Sequence, residues 1–303
     1  MDFLYWLEGI RIPVLNEFML AVTYLGDEIA FLVVALIMIW CADKRTGYYV
    51  LAVGFLGTIA NQFMKLWFRI PRPWVLDENF TILEQAREGA SGYSFPSGHT
   101  QSAVGTFGAI AYTTKNRRIR NLCIAAVILV PFSRMYIGVH TPLDVSVAAV
   151  MAAVLIFILK PIILGRNERA FPVFLGVMVA VSVAFLCFVE LYPFPADIDP
   201  HNMASGLKNA YTLLGSLLGL VAVYIVDEKW MHFPTSAVWW VQILKVLIGL
   251  GIVLLVKEGL RAPFEAAFGA LIGRAARYFT IVVVAGMIWP LTFRWFAKLG
   301  KRN

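Results

Sequence analysis

The chain has 303 residues, of which 60% are hydrophobic and 15% are charged, and this balance excludes an ordinary soluble domain. Its net charge of +7 could suit a nucleic-acid-binding protein. The basic residues, however, fall mainly in short loops between apolar runs, which is the pattern that orients membrane proteins. Composition therefore predicts an all-α, polytopic bundle of transmembrane helices, and nucleic acid is not expected as a partner.

The first 27 residues differ from the rest of the chain. They lack a basic region before their apolar part, so we do not expect a cleaved signal peptide. Trp6, Asn16 and Glu17 interrupt the apolar residues of this segment. That mixture favours a helix lying in the membrane interface over one that crosses the bilayer.

Apolar runs of about twenty residues are long enough to cross ~30 Å of hydrocarbon as helices. We predict nine spans, near residues 28–41, 47–66, 98–114, 121–138, 142–160, 171–193, 208–226, 236–256 and 278–297. The first six would form a core within residues 28–195. Residues 196–303 would add about three C-terminal spans.

Short basic loops predict the orientation of this bundle. With nine spans, four basic loops share one face, which is expected to be cytoplasmic: Lys44 and Arg45; Lys115 to Arg120; Lys160 to Arg169; and Lys298 to Arg302. The basic loop at 257–277 falls on the other face and is an exception. Three polar motifs share that outer face, so we expect an active site facing away from the cytoplasm, in the plasma membrane.

The first motif, KLWFRIPRP, places Lys65 and Arg72 at one end of the second span. Taken alone, these two cations could be ordinary residues that extend toward the membrane surface. The second motif, SFPSGH, precedes the third span, and we expect Ser94 to cap that helix with Pro96 in its first turn. The free backbone N–H groups of that turn, approachable at Gly98, would form an anion site.

The third motif, SRMYIGVHTPLD, precedes the fifth span. Thr141 and Pro142 suit a helix cap and a first helical residue, which puts Asp144 at the third helical position. From there a carboxylate can reach one ring nitrogen of His140 and leave the other nitrogen free as a nucleophile. A simple capping role would explain Asp144, but it would explain neither His140 nor Arg134.

Read in order, the motifs spell K-x6-RP, PSGH and SR-x5-H-x3-D, and the chain resembles the type 2 phosphatidic acid phosphatase family over roughly residues 28–165. That resemblance implies a metal-independent phosphatase with no cofactor. It implies that His140 is a nucleophile forming a phosphohistidine, that Asp144 orients it, and that His99 is the acid and later the base. The implied phosphate-binding residues are Lys65, Arg72, Ser97, Gly98 and Arg134.

Phosphoryl transfer needs mainly positioning and charge stabilisation, which arginine, lysine and backbone donors can supply. The other two histidines, His201 and His232, lie in loops without ligand-type spacing, so no metal site is expected. The three cysteines, Cys41, Cys123 and Cys187, lie in or beside apolar runs and are expected to be packing residues.

A lipid phosphate or pyrophosphate is the expected substrate, because a lipid tail can stay among the helices while its phosphate enters the site. A weaker resemblance, to the glucose-6-phosphatase branch, keeps a soluble sugar phosphate open as an alternative. A non-enzymatic lipid-binding or transport protein would retain the same pocket. The soluble vanadate-dependent haloperoxidases of the same family are excluded by the hydropathy of the chain.

Overall fold

The computed structural model describes residues 1–90, 92–196 and 198–299, and these residues form helices and contain no strand. The prediction of an all-α helical bundle is confirmed. The helices are α1 (Asp2–Gly9), α2 (Pro13–Thr23), α3 (Glu28–Cys41), α4 (Lys44–Phe68), α5 (Pro73–Leu76), α6 (Gly98–Thr113), α7 (Arg117–Tyr136), α8 (Pro142–Ile163), α9 (Ala170–Leu191), α10 (Pro200–Val226), α11 (Trp239–Gly259), α12 (Arg261–Phe268), α13 (Ala270–Val283) and α14 (Phe293–Phe296).

The described residues contain seven helical segments long and apolar enough to cross a membrane. An eighth is added if Pro13–Gly26 and Glu28–Cys41, which meet at a bend of 54°, count together as one span. This count differs from the nine predicted spans in two places. Residues 28–41 are counted only as part of the bent pair, and α6, with 16 residues, is shorter than the other spans.

The described chain divides into two compact units. The first contains Met1–Val34, Tyr49–Leu164 and Pro195–Ser205, and it includes all three motifs. The second contains Ala35–Tyr48, Gly165–Phe194 and the chain from Gly206 onward. The division predicted from the sequence, at residues 27 and 195, stays a prediction.

The N-terminal helices contribute to the core of the first unit. Leu4 and Leu7 of α1 and Met19 and Leu20 of α2 are buried together with apolar residues of the 80–90 loop and of the segment 136–139. Burying each such side chain stabilises the fold by about 2 kcal/mol. The segment predicted to lie in the interface thus packs against the third motif and against the loop that joins the first two. Its depth in a membrane stays a prediction.

Candidate active site

The start of α8 holds Asp144 in place by a reciprocal capping box. Thr141 is the N-cap residue, and its Oγ1 accepts from the backbone N–H of Asp144 at 3.2 Å. In return, Oδ2 of Asp144 accepts from the N–H of Thr141 at 2.7 Å. Pro142 is the first helical residue, where a missing N–H costs nothing. The predicted helix start at Thr141 and Pro142 is confirmed, and the carboxylate sits where the helix dipole favours it.

His140 is buried beside that carboxylate, and a serine hydroxyl lies between them. Nδ1 of His140 is 3.5 Å from Oδ2 of Asp144, but only 3.3 Å from Oγ of Ser94. Ser94 in turn donates to Oδ2 of Asp144 at 2.6 Å. Since the serine proton goes to Asp144, the serine oxygen is left to accept from an N–H at Nδ1.

Nη1 of Arg72 lies 2.9 Å from Nε2 of His140 and 3.5 Å from Nδ1. Because an arginine only donates, the shorter contact favours a lone pair on Nε2. The contacts with Ser94 and Arg72 therefore fit the tautomer of His140 that has the proton on Nδ1 and the lone pair on Nε2. This is the form of imidazole that can attack phosphorus.

Its surroundings keep His140 neutral. Burial lowers its pKa well below the ordinary value of 6.5, and the positive charges of Arg72, Arg134 and Lys65 lower that pKa further. Three cations from two of the motifs thus act electrostatically on one ring, as expected of the predicted phosphate-binding set.

The two cations of the first motif hold the loop that follows them. Nε of Arg72 donates to the carbonyl of Gly92 at 3.0 Å, and Nη1 donates to the carbonyl of Val139 at 2.9 Å. Lys65 donates to the carbonyl of Tyr93. The acceptors in these three contacts are neutral carbonyl groups, and a cation that donates to neutral groups can also donate to an anion.

Arg134, at the end of α7, is 2% exposed, and not all of its N–H groups are hydrogen-bonded. Its Nη1 donates to Oγ1 of Thr23 at 2.7 Å. Its Nε–H is buried without a hydrogen-bond partner among the described residues. An unpaired buried donor on a guanidinium costs free energy, which an anionic oxygen at this position would recover.

The start of α6 differs from the prediction. The N-cap is Ser97 and not Ser94, since Oγ of Ser97 accepts from the N–H of Thr100 at 3.4 Å. Ser94 lies three residues before it and is used by Asp144. Pro96 precedes the helix instead of occupying its first turn. A hydrogen bond to a buried carboxylate is stronger than a neutral capping bond, which explains why Ser94 bonds to Asp144 and does not cap α6.

This start offers backbone donors at its first residues. The N–H of Ser97 donates to the carbonyl of Asp144 at 3.1 Å and is committed to that contact. The N–H groups of Gly98 and His99 belong to the first turn, where a helix provides no internal acceptor. A Cβ at Gly98 would make an ordinary van der Waals contact with Oδ1 of Asn61, at 3.8 Å.

His99 contacts a residue that the sequence analysis did not identify as part of the site. Its Nε2 is 2.7 Å from Oδ1 of Asp27, in the bend between α2 and α3. Thr23 and Ser94 were missed as site residues too. A usable signal existed for Asp27, because a carboxylate between two apolar runs is expensive unless it has a function. No comparable signal existed for the two hydroxyls.

Two charged side chains on the loop between the first two motifs are exposed. Glu84 and Arg87 form a bidentate ion pair with each other, at 2.6 and 2.8 Å. They are solvated loop charges. No group of three or more His, Cys, Asp or Glu side chains within residues 1–90, 92–196 and 198–299 is placed to hold a metal ion.

Comparison with known families gives two adjacent matches. Residues 45–168 match the PAP2 superfamily. Residues 211–302 match the transmembrane extension of PAP2 superfamily phosphatases. The first match contains every residue of the three motifs, and the second covers most of the predicted C-terminal spans.

Curated relatives cover about half of the chain. Undecaprenyl-diphosphatase BcrC of Bacillus subtilis is 30% identical over 151 residues, or 48% of this chain and 73% of that protein. Phosphatidylglycerophosphatase B of Bacillus subtilis is 29% identical over 174 residues, or 53% and 79%. An undecaprenyl-diphosphatase of Sulfolobus acidocaldarius is 29% identical over 136 residues, or 45% and 64%. No solved structure matches the chain significantly.

Proposed function

This chain belongs to the PAP2 superfamily, and we propose that it is an integral membrane phosphatase that hydrolyses a phosphate monoester or pyrophosphate of a lipid. The relatives named above are a prenyl-diphosphate phosphatase from each of two organisms and a phosphatidylglycerophosphate phosphatase. Prenyl diphosphates and phosphatidylglycerol phosphate are therefore the substrates to test first. The membrane-spanning character of the chain suits substrates whose tails remain in the bilayer.

The observation that carries this proposal is the arrangement around His140. Its Nε2 is 2.9 Å from Nη1 of Arg72, while its Nδ1 is 3.3 Å from the hydroxyl of Ser94, which is bonded to Asp144. A phosphate that takes up the donors of Arg72 would place its phosphorus next to Nε2. Arg72 would then bind the phosphate oxygens.

We propose the following reaction. In the first step Nε2 of His140 attacks phosphorus, the bond from phosphorus to the leaving oxygen breaks, and His99 gives that oxygen a proton. In the second step His99 takes a proton from water while the water oxygen attacks the phosphohistidine and the P–N bond breaks. Lys65, Arg72, Arg134 and the backbone N–H groups of Gly98 and His99, which follow the N-cap Ser97, would stabilise the charge on the transferring group.

These roles require no metal or cofactor, because cationic side chains and helix N–H groups supply the charge stabilisation. We therefore expect full activity in the presence of a chelator. We also propose that the site opens at the extracytoplasmic side of the plasma membrane, as the distribution of basic loops predicts.

The test uses protein purified in detergent. Inorganic phosphate release is measured from a prenyl diphosphate, phosphatidylglycerol phosphate, phosphatidic acid and glucose 6-phosphate. We expect kcat/KM for at least one lipid to exceed that for glucose 6-phosphate by ~100-fold or more, because the tail adds binding energy. A preference for the sugar phosphate would favour that alternative, and no hydrolysis of any of the four would favour a binding protein.

The nucleophile is tested with His140→Ala, which should abolish turnover and the alkali-stable, acid-labile phosphoenzyme formed from ³²P-labelled substrate. Glu17→Gln, an exposed carboxylate on α2, is the matched control and should retain both. Near-normal hydrolysis by His140→Ala would exclude the proposed mechanism.

A further inference from the structure

The bend between α2 and α3 brings a carboxylate to the proposed acid. Asp27 follows the single turn Tyr24–Gly26, and its Oδ1 is 2.7 Å from Nε2 of His99. The approach is close because residue 26 is glycine. A Cβ there would lie 2.8 Å from the carbonyl oxygen and 2.9 Å from the Cβ of His99. The bend is therefore shaped to fit against the beginning of α6.

Asp27 belongs to none of the three motifs and lies outside the matched region 45–168. We propose that it is a positioning residue for the reaction, which holds a proton on Nε2 of His99 and directs Nδ1 at the leaving oxygen. This inference rests on the proposed function, in which His99 is the general acid. Asp27 itself would touch neither the substrate nor the reacting atoms.

Electrostatics explain why His99 needs such a partner. His99 is the second residue of α6, and the positive end of the helix dipole disfavours an imidazolium there. Arg134 and Arg72 act on it with positive charge, and His140 lies within electrostatic range of it. A carboxylate in direct contact offsets part of these effects and favours the protonated acid. The negative charge of a bound phosphate would act in the same direction.

The protons balance in both steps of the proposed reaction. In the first step, protonated His99 gives its Nδ1 proton to the leaving oxygen as the ester bond breaks, while the other proton stays on Nε2 and is donated in a hydrogen bond to Asp27. Neutral His99 then carries its lone pair on Nδ1. In the second step that lone pair takes a proton from the attacking water, which restores the imidazolium. Asp27 remains ionised throughout, as an orienting carboxylate does.

A simpler role for Asp27 is that of a helix cap. Its backbone carbonyl accepts from the N–H of Phe31 at 3.1 Å at the start of α3. A capping role would explain an aspartate here, but not a side chain aimed at His99. The same bend also reaches a second motif residue, because Thr23 accepts from Arg134. Two contacts with catalytic-motif residues from one short segment favour a role in the site.

The decisive experiment compares leaving groups. For Asp27→Asn, kcat/KM is measured with an alkyl phosphate lipid and with p-nitrophenyl phosphate, whose leaving oxygen needs little protonation. We expect a loss of about 100-fold for the alkyl ester and less than about threefold for the aryl ester. The ratio of kcat/KM for the alkyl ester to kcat/KM for the aryl ester depends only on the steps up to phosphoenzyme formation. An equal loss for both substrates would mean a merely structural role and would overturn the inference.

Two further variants complete the test. Asp27→Glu keeps a carboxylate and should keep the alkyl-to-aryl ratio within about threefold of the wild type, even if its folding yield falls. Glu17→Gln, on the same N-terminal segment, should match the wild type for both substrates. The same ratio in the wild type, Asp27→Asn and Asp27→Glu would also overturn the inference.

The pH dependence of kcat/KM provides an independent test of the role of Asp27. Asparagine can still accept from Nε2, but it lacks the charge that favours imidazolium. In Asp27→Asn the alkaline limb of kcat/KM for the alkyl ester should move to lower pH by about one unit. An alkaline limb at the same pH in Asp27→Asn and in the wild type would contradict this inference and leave the proposed function unaffected. Hydrolysis that survives His140→Ala, or a wild type inactive on both esters, would instead exclude the proposed function and this inference with it.

Discussion

The hydroxyl of Ser94 donates a hydrogen bond to Oδ2 of Asp144 over 2.6 Å, and both side chains are almost completely buried. The motif spacing alone suggested a direct contact from Asp144 to the nucleophilic histidine. The observed contact is shared instead: Oδ2 of Asp144 is 3.5 Å from Nδ1 of His140, and the serine oxygen is closer to that nitrogen, at 3.3 Å. The tautomer of His140 therefore depends on Ser94 as well as on Asp144.

Ser94→Ala should lower kcat by about 30-fold and leave KM within about threefold of the wild type. The variant removes a hydrogen bond to a charged group, worth about 2 kcal/mol, and leaves the cations proposed to bind phosphate in place. Steady-state kinetics on a lipid substrate measure this. Ser102→Ala is the matched control, because the Ser102 hydroxyl is buried on α6 without a partner among the described residues. Equal effects of the two variants would contradict the role of Ser94.

The pH profile of the wild type should lack an acid limb near pH 6.5. The pKa of His140 is lowered well below that value by burial and then by Arg72, Arg134 and Lys65, so the nucleophile stays neutral as the pH falls through 6.5. kcat/KM is measured between pH 4.5 and 9. Ionisation of the substrate phosphate, followed by ³¹P NMR in the same micelles, is divided out. A remaining acid limb at or above 6.5 would contradict the assignment.

The same lowered pKa predicts how stability depends on pH. The unfolded chain takes up a proton on His140 near pH 6.5, whereas the folded chain does so only at lower pH. The stability associated with neutral His140 is therefore present above 6.5 and is lost as the pH falls toward the folded-state pKa. Thermal unfolding in detergent from pH 7.5 to 5 should show a fall in Tm that is smaller in His140→Ala.

Gly26→Ala should destabilise the first unit and reduce kcat/KM. The new Cβ would lie 2.8 Å from the carbonyl oxygen of His99 and 2.9 Å from Cγ1 of Val130, so the bend must move away from α6. Overpacking of this kind costs about 1–3 kcal/mol. Thermal unfolding and kinetics measure the two effects. Gly9→Ala, on α1, should be neutral, because a Cβ there would meet no atom within 4 Å.

In the second unit, Asp227→Asn should lower the free energy of unfolding by about 3 kcal/mol, at the low end for buried pairs. Lys44 Nζ is 2.6 Å from Asp227 Oδ2 and 3.4 Å from the ring centre of Phe233, with side-chain exposures of 22% for Lys44 and 8% for Asp227. The variant leaves this half-buried ammonium without its counter-ion. Reversible unfolding in mixed micelles measures the change.

The control for that prediction is Glu265→Gln. Glu265 pairs with Arg261 at 3.4 Å on an exposed face, where such pairs contribute between 0 and about 1 kcal/mol. A similar loss in Glu265→Gln and Asp227→Asn would show that the burial of the Lys44 pair adds nothing.

Local rules were enough for much of the fold and part of the site. The apolar runs predicted the helical bundle, because backbone polar groups in hydrocarbon must be satisfied within a helix. Thr141, Pro142 and Asp144 were predicted correctly as the start of α8, since capping depends on residues three apart. The same rule misplaced Ser94, because a cap can be satisfied by Ser97 as well, and a buried carboxylate from another helix competes for the Ser94 hydroxyl.

The sequence by itself determined the type of molecule and the three polar motifs, because hydropathy and capping are properties of neighbouring residues. Only the tertiary structure decided which side chains meet. Ser94 and Asp144 are 50 residues apart. Asp27 and His99, likewise distant in sequence, are 2.7 Å apart. Such contacts depend on the packing of a bend against two helix starts, and nothing in the spacing of residues along the chain specifies that packing.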